Sequence, residues 1–159
     1  MRFHHLIEIN DPLNPLIDPL TRAQLWRGLV LRAEAPELFM PHLDRCEILS
    51  RNEQALTRVL HYGNVSIRDE VRFTPQQEVL YQVPQQDEIS ASSLSMRIEE
   101  PQPERFYVRF EYADSSADDA DSMDAYYNQF RRSAYYEADL DTIRTIRQFA
   151  AEGRLQPSH

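Results

Sequence analysis

The chain has 159 residues, of which 42% are hydrophobic and 27% charged, and its 17 basic residues against 26 acidic ones give a net charge of −9. That balance fits one globular domain and argues against nucleic acid or an anionic membrane surface as the main partner, because phosphate binding needs a basic stripe. Glycine occurs only at Gly28, Gly63 and Gly153, so neither a Gly-rich phosphate loop nor a dinucleotide fingerprint can be written anywhere.

Residues 3–9 alternate, with Phe3, His5, Ile7 and Ile9 on one face, as a half-buried strand requires. The following loop carries Asp11, Asp18, Pro12, Pro15 and Pro19. With no apolar stretch of 18 residues and no basic-then-apolar leader, membrane insertion is not expected and a cytoplasmic location is. Thr21 with Gln24 three residues later is a capping box, and Leu25, Trp26, Leu29, Val30 and Ala33 recur behind it at helical spacing. Pro36 can start a second short helix through residues 37–40, which Pro41 ends.

From 43 to 113 the pattern is strands joined by turns, at residues 45–51, 56–62, 65–73, 79–83, 94–99 and 106–112. The turn Gly63-Asn64 fixes a hairpin register in which opposed residues sum to 127, so Arg58 faces Asp69. Leu56, Leu60, Tyr62, Val65, Ile67, Val71 and Phe73 share that face and Thr57, His61, Ser66, Arg68, Glu70 and Arg72 the other. The first set is therefore inward, and Arg58 with Asp69 is expected as an ion pair inside the sheet. The acidic, small-residue run 113–122 reads as a mobile loop. From 123 to about 151 there is no Pro or Gly, which allows a helix about 40 Å long, enough to cross seven strands about 4.8 Å apart. Residues 153–159 read as a flexible tail behind a single domain of residues 1–152.

Several stretches together resemble one family: Phe3-x-His5-Leu6 with Asn10-Asp11, Gln24-Leu25-Trp26-x-Gly28-Leu29-Val30, Glu47-Ile48-Leu49, Asp69-Glu70-Val71, Met96-x-Ile98-Glu99-Glu100-Pro101, Phe106-x-Val108-Arg109-Phe110, and Ala134-Tyr135 running to Thr142-Ile143-x-Thr145-Ile146-Arg147. They are similar to the AtaL-like family of the START-like superfamily (SRPBCC, birch-pollen-allergen-like), over residues 2–150. The resemblance implies an α+β helix-grip fold: a curved seven-stranded antiparallel sheet around a long C-terminal helix, with two short helices between strands 1 and 2. Members of the superfamily bind lipids, sterols or polyketide-like molecules, and some branches are cyclases or hydratases. No catalytic motif comes with the family.

The candidate residues lie on inward faces. Arg58 and Asp69 could anchor a ligand in a greasy cavity or could simply be a buried pair. On the last helix Tyr135, Tyr136, Asp139, Leu140, Ile143, Ile146 and Ala150 share a face centred near Asp139, while Tyr127, Phe130, Ala134, Ala138 and Phe149 form a second stripe that leaves the facing open. His5 is a general base if the cavity reacts a substrate, and otherwise a core histidine. Tyr81 and Tyr112 could add hydroxyls to an aromatic wall. Trp26, Leu60, Ile67, Met96 and Phe110 complete the expected lining. Cys46, alone, reads as a small buried hydrophobe, and the histidines lack metal-ligand spacing, so no metal and no cofactor is expected.

The reading is a module that binds a hydrophobic or amphiphilic small molecule between sheet and last helix. The alternative is a cofactor-free cyclase or hydratase acting on a polyketide-like substrate in the same place. The first is favoured by scattered, individually satisfied polar groups, the second by polar groups converging on one enclosed volume.

Overall fold

The computed structural model describes residues 1–115 and 123–155. Its strands are β1 (Arg2–Glu8), β2 (Arg45–Arg51), β3 (Ala55–Tyr62), β4 (Val65–Thr74), β5 (Glu78–Val83), β6 (Ser92–Gln102) and β7 (Arg105–Asp114); its helices are α1 (Arg22–Glu34) and α2 (Met123–Ala151). The seven strands form one antiparallel sheet in the order β1-β7-β6-β5-β4-β3-β2. The first and second strands in sequence are thus its two edges. This is the curved helix-grip architecture implied by the resemblance, with α2 on the concave face.

α1 begins as expected. The Thr21 hydroxyl accepts from the Gln24 backbone N–H at 3.0 Å and the Gln24 side chain accepts from the Thr21 N–H at 2.9 Å. The second short helix is a single 3-10 turn, Pro36–Leu38. Pro36 and Pro41 leave room for only one turn between them.

The β3–β4 hairpin has the register that its two-residue turn dictates, with Leu56 opposite Val71, Arg58 opposite Asp69 and Leu60 opposite Ile67. Gly63 takes a φ of 56°, the left-handed value that a primed turn needs at its first position. Leu56 and Val71 are buried, whereas Val65 at the tip is 49% exposed because the hairpin outruns the core. β6 starts two residues earlier than expected. Ser92 and Ser93 pair with Asp114 and Ala113 and extend both strands. Of the acidic run, residues 113 and 114 therefore belong to β7, and 116–122 lie outside the described residues.

The core lies between the concave face and the two helices, and Leu25, Leu29, Val71, Val79, Met96, Val108, Phe110 and Ile146 are at most 0% exposed within it. Gly28 is where α1 and α2 touch most closely: a Cβ placed there would meet Ile146 Cγ2 at 2.6 Å. The facing of α2 is settled by burial. Asp139, Ile143 and Ile146 are inward, while Tyr127 and Phe130 are 63% and 68% exposed. Phe149 of the second stripe turns in at the helix end and meets Phe39 edge-on. Gly153 ends α2 with a φ of 72°, and Leu155 behind it is buried in the core. Residues 156–159 lie outside the described residues. Among the described residues no helix is long and apolar enough to cross a membrane.

Candidate functional site

Arg58 on β3 and Asp69 on β4 are 3% exposed each and form a two-pronged ion pair, with Nε donating to Oδ1 at 2.9 Å and the second terminal nitrogen to Oδ2 at 2.6 Å. The remaining guanidinium nitrogen donates to the Ala33 carbonyl at 2.8 Å. That carbonyl is in the last turn of α1, where helical partners run out, so Arg58 also satisfies a helix end. The third contact had no signal in the strand pattern. It depends on α1 folding back over the sheet.

Beside this pair is a cavity of about 180 Å³ between the sheet and α2, lined by Arg32, Met40, Arg58, Leu60, Asp69, Tyr81, Val83, Ser92, Leu94, Tyr112, Asp114, Arg131 and Tyr135, among others. A broader groove of about 690 Å³ borders the loop at residues 10–22. Its buried polar side chain, Asn10, is already satisfied in both directions by the Leu20 backbone. The smaller cavity is where buried polar groups are left over. Tyr81 is 5% exposed, and among the described residues its hydroxyl has no hydrogen-bond partner. The Arg32 and Arg58 guanidinium carbons lie 5.2 and 5.1 Å from the Tyr81 ring centroid, within cation–π range.

One wall of the cavity is aromatic. Tyr112 on β7 stacks on Tyr135 of α2 with centroids 4.1 Å apart, and Phe3 of β1, opposite Tyr112 in the ladder, stacks on Tyr112 and Tyr135 at 5.2 and 6.0 Å. Behind this wall the Tyr112 hydroxyl donates to the Asp139 carboxylate at 2.8 Å, and His5 Nε2 lies 2.8 Å from the same oxygen. The carboxylate only accepts, so Nε2 carries the proton; among the described residues His5 Nδ1 is buried without a partner. Burial, reinforced by the Asp139 charge, pushes the Tyr112 hydroxyl well above its usual range. Asp139, the carboxylate in need of a partner, thus has two.

The expected residues divide into three groups. Arg58, Leu60, Asp69, Tyr81, Tyr112 and Tyr135 line the cavity. His5 and Asp139 stand one layer behind it. Met96 and Phe110, each 0% exposed, are packed core, Ile67 sits half-buried near the hairpin tip, and Trp26 meets Phe73 edge-on at the far end of α1. Cys46 is half-buried beside this region, and burial pushes its thiol up.

Arg32 was missing from the expected lining although the helical pattern contained it. Leu25, Gly28, Leu29 and Arg32 follow the i, i+3, i+4, i+7 spacing of one face, whose first three members are buried. An arginine in phase with a buried stripe is the signal. Ser92 and Arg131 had none, since they reach the cavity through the extension of β6 and the placement of α2.

The family described as AtaL, acetylaranotin biosynthesis cluster protein L, matches residues 7–153. No curated protein matches the chain in sequence. Among solved structures, the di-domain ARO/CYC StfQ from the steffimycin biosynthetic pathway superposes with a TM-score of 0.71 at 13% identity, over 95% of this chain and 51% of that one. The chain thus spans about half the length of that protein. The Zhui aromatase/cyclase from Streptomyces sp. R1128 gives 0.63 at 13% identity, covering 98% of this chain and 96% of its own. Human STARD10 gives 0.63 at 8% identity, covering 94% and 64%. At such identities the likeness is one of fold, the START-like fold, whereas the family match runs through nearly every element, from β1 to the end of α2: the chain belongs to the AtaL family.

Proposed function

We propose that the cavity between the sheet and α2 binds a small hydrophobic or amphiphilic molecule, in secondary or lipid metabolism. The cavity itself carries this reading: apolar and aromatic walls with a few buried polar groups are the usual makeup of a small-molecule site. At about 180 Å³ it is below the roughly 300–1,000 Å³ of drug-sized pockets, which suits a compact molecule of one or two rings. A cytoplasmic location, with neither nucleic acid nor membrane as partner, belongs to the same proposal.

A second reading, a cofactor-free cyclase or hydratase acting on a polyketide-like substrate, is favoured by one observation. Tyr112, Asp139 and His5 form a hydrogen-bonded chain whose first member reaches the cavity, as a proton relay would need. Two structural neighbours described as aromatase/cyclases are compatible with it.

Native mass spectrometry of the purified full chain, followed by a thermal-shift screen of one- and two-ring amphiphiles, tests the binding reading. Ser92→Trp is the control, because Ser92 is in phase with inward Leu94 and Met96 and an indole there occupies the cavity. The expected result is a retained mass or a raised melting temperature in the wild type, abolished by Ser92→Trp. Absence of both in the wild type, or insensitivity to Ser92→Trp, overturns the reading. Turnover of a bound polyketide-like compound, lost in Tyr112→Phe, would favour the enzyme.

A further inference from the structure

Leu13 and Leu16, 88% and 91% exposed, are the most exposed large apolar side chains among the described residues. Both stand on the loop between β1 and α1, which is held from base to tip. The buried Asn10 side chain closes the base through the Leu20 backbone, donating at 2.7 Å and accepting at 2.9 Å, and Arg147 of α2 donates to the Ile9 and Asp18 carbonyls. At the tip, Asn14 N–H donates to the Asp11 carbonyl and Ile17 N–H to the Asn14 carbonyl, which makes two successive turns. The Asp11 carboxylate accepts from Leu13 N–H and the Asn14 side chain from Leu16 N–H, each at 3.0 Å, so each turn is tied by its own first residue and presents a leucine at its third position. One exposed leucine is ordinary, but two on a fixed loop form a contact surface whose ordering cost is already met before anything binds.

The loop borders the groove of about 690 Å³, walled by Pro12, Pro15, Leu20 and Phe106, and a second of about 440 Å³ against Ala150 and Ala151 of α2. Asp11, Asp18 and Glu104 line the larger groove against Arg22 alone, and Arg22 is paired with Glu100. Behind the rim Arg105 lies 3.6 Å from Glu8, and Arg105 and Arg147 act on Asp11 and Asp18 from beyond ion-pair distance. Glu8, Asp11, Asp18, Glu100 and Glu104 against Arg22, Arg105 and Arg147 leave this end of the molecule with an excess of negative charge. A second copy would set one acidic rim on another, and an anionic leaflet would be repelled in the same way. A small molecule lying in either groove leaves the leucine tips in water. We propose that the β1–α1 loop is a docking surface for a basic, leucine-bearing segment of a partner protein, whose apolar side chains cover Leu13 and Leu16 and whose cations face Asp11, Asp18 and Glu104.

The test titrates the full chain against two fluorescently labelled amphipathic helical peptides, one of leucine and lysine and one of leucine and glutamate, read by anisotropy. The expected result is that the leucine–lysine peptide binds and the leucine–glutamate peptide does not. Leu13→Ser with Leu16→Ser weakens that binding by about tenfold or more and leaves the melting temperature unchanged, because both side chains stand in solvent. Asp11→Asn with Asp18→Asn and Glu104→Gln also weakens it and flattens its salt dependence; asparagine keeps an oxygen that can accept from Leu13 N–H, so the turn survives. Ser92→Trp leaves peptide binding intact, which separates this surface from the cavity. Binding of neither peptide, or equal binding by the leucine variant, overturns the proposal. So does a dimer, or sedimentation with phosphatidylcholine vesicles, that the leucine variant abolishes, since either gives the surface a different occupant.

Discussion

Arg58 ties three elements together through one guanidinium: β4 through Asp69, its own strand, and the end of α1 through the Ala33 carbonyl. Arg58→Ala should therefore cost about 3 kcal/mol, the range for removing one member of a buried pair and orphaning the other. Arg58→Met with Asp69→Leu should cost much less, because two apolar side chains have no desolvation penalty to retain. Denaturant melts of the three proteins check this, and equal small losses would mean that the pair contributes nothing. Tyr112 gives a pH-dependent prediction. Its hydroxyl ionises near 10.0 when the chain is unfolded and well above that when buried against Asp139. Its contribution to stability is complete below pH 10 and declines as pH rises beyond it, since only the unfolded chain then releases the proton. Tyr112→Phe should lose about 1–2 kcal/mol at neutral pH and show a shallower loss of stability between pH 10 and 11, read from urea melts across that range.

Helix packing turns on Gly28, whose missing side chain lets α1 close on Ile146 of α2. Gly28→Ala improves helix propensity by about 1 kcal/mol but forces a methyl to within 2.8 Å of two carbons of a fully buried isoleucine. Overpacking should win, for a net loss of about 1–2 kcal/mol. In an Ile146→Ala background the clash is gone and the same substitution should be neutral or stabilising; a double-mutant cycle without coupling would contradict the packing. The elements differ in how far the amino-acid pattern disclosed them. The β3–β4 hairpin was legible down to its register, because a two-residue turn leaves no freedom and one face is apolar. α2 was legible in length but not in facing, since its two apolar stripes are equivalent until the sheet selects one. The extra length of β6 and β7 was invisible because Ser92 and Ser93 have no strand pattern of their own and are ordered by pairing.

At the scale of the molecule, an open sheet with β1 and β2 as its edges curves around α2, and the cavity is what the side chains leave unfilled beside Arg58 and Tyr81. The sequence pattern reached six of the fifteen residues that line that cavity. Residues on strands could be assigned a face by parity, so Arg58, Leu60, Asp69, Tyr81 and Tyr112 were found, together with Tyr135 on α2. Met96 and Phe110 were on the correct face too, but parity does not tell packed core from cavity wall. Arg32 lies on a helix whose approach to the sheet depends on tertiary packing. Convergence of Tyr112, Asp139 and His5 likewise joins β7, α2 and β1, and no local pattern links them.

Whether the cavity between sheet and α2 holds a ligand is read directly from a backbone-amide NMR titration of the full chain with 2-naphthoate. The expected shift changes centre on the cavity strands around Leu60, Tyr81, Leu94 and Tyr112 and on α2 near Tyr135, saturate with a single affinity and disappear in Ser92→Trp. Changes centred instead on the loop at residues 10–22 or on the outer face of the sheet, or no saturable change at all, would contradict it.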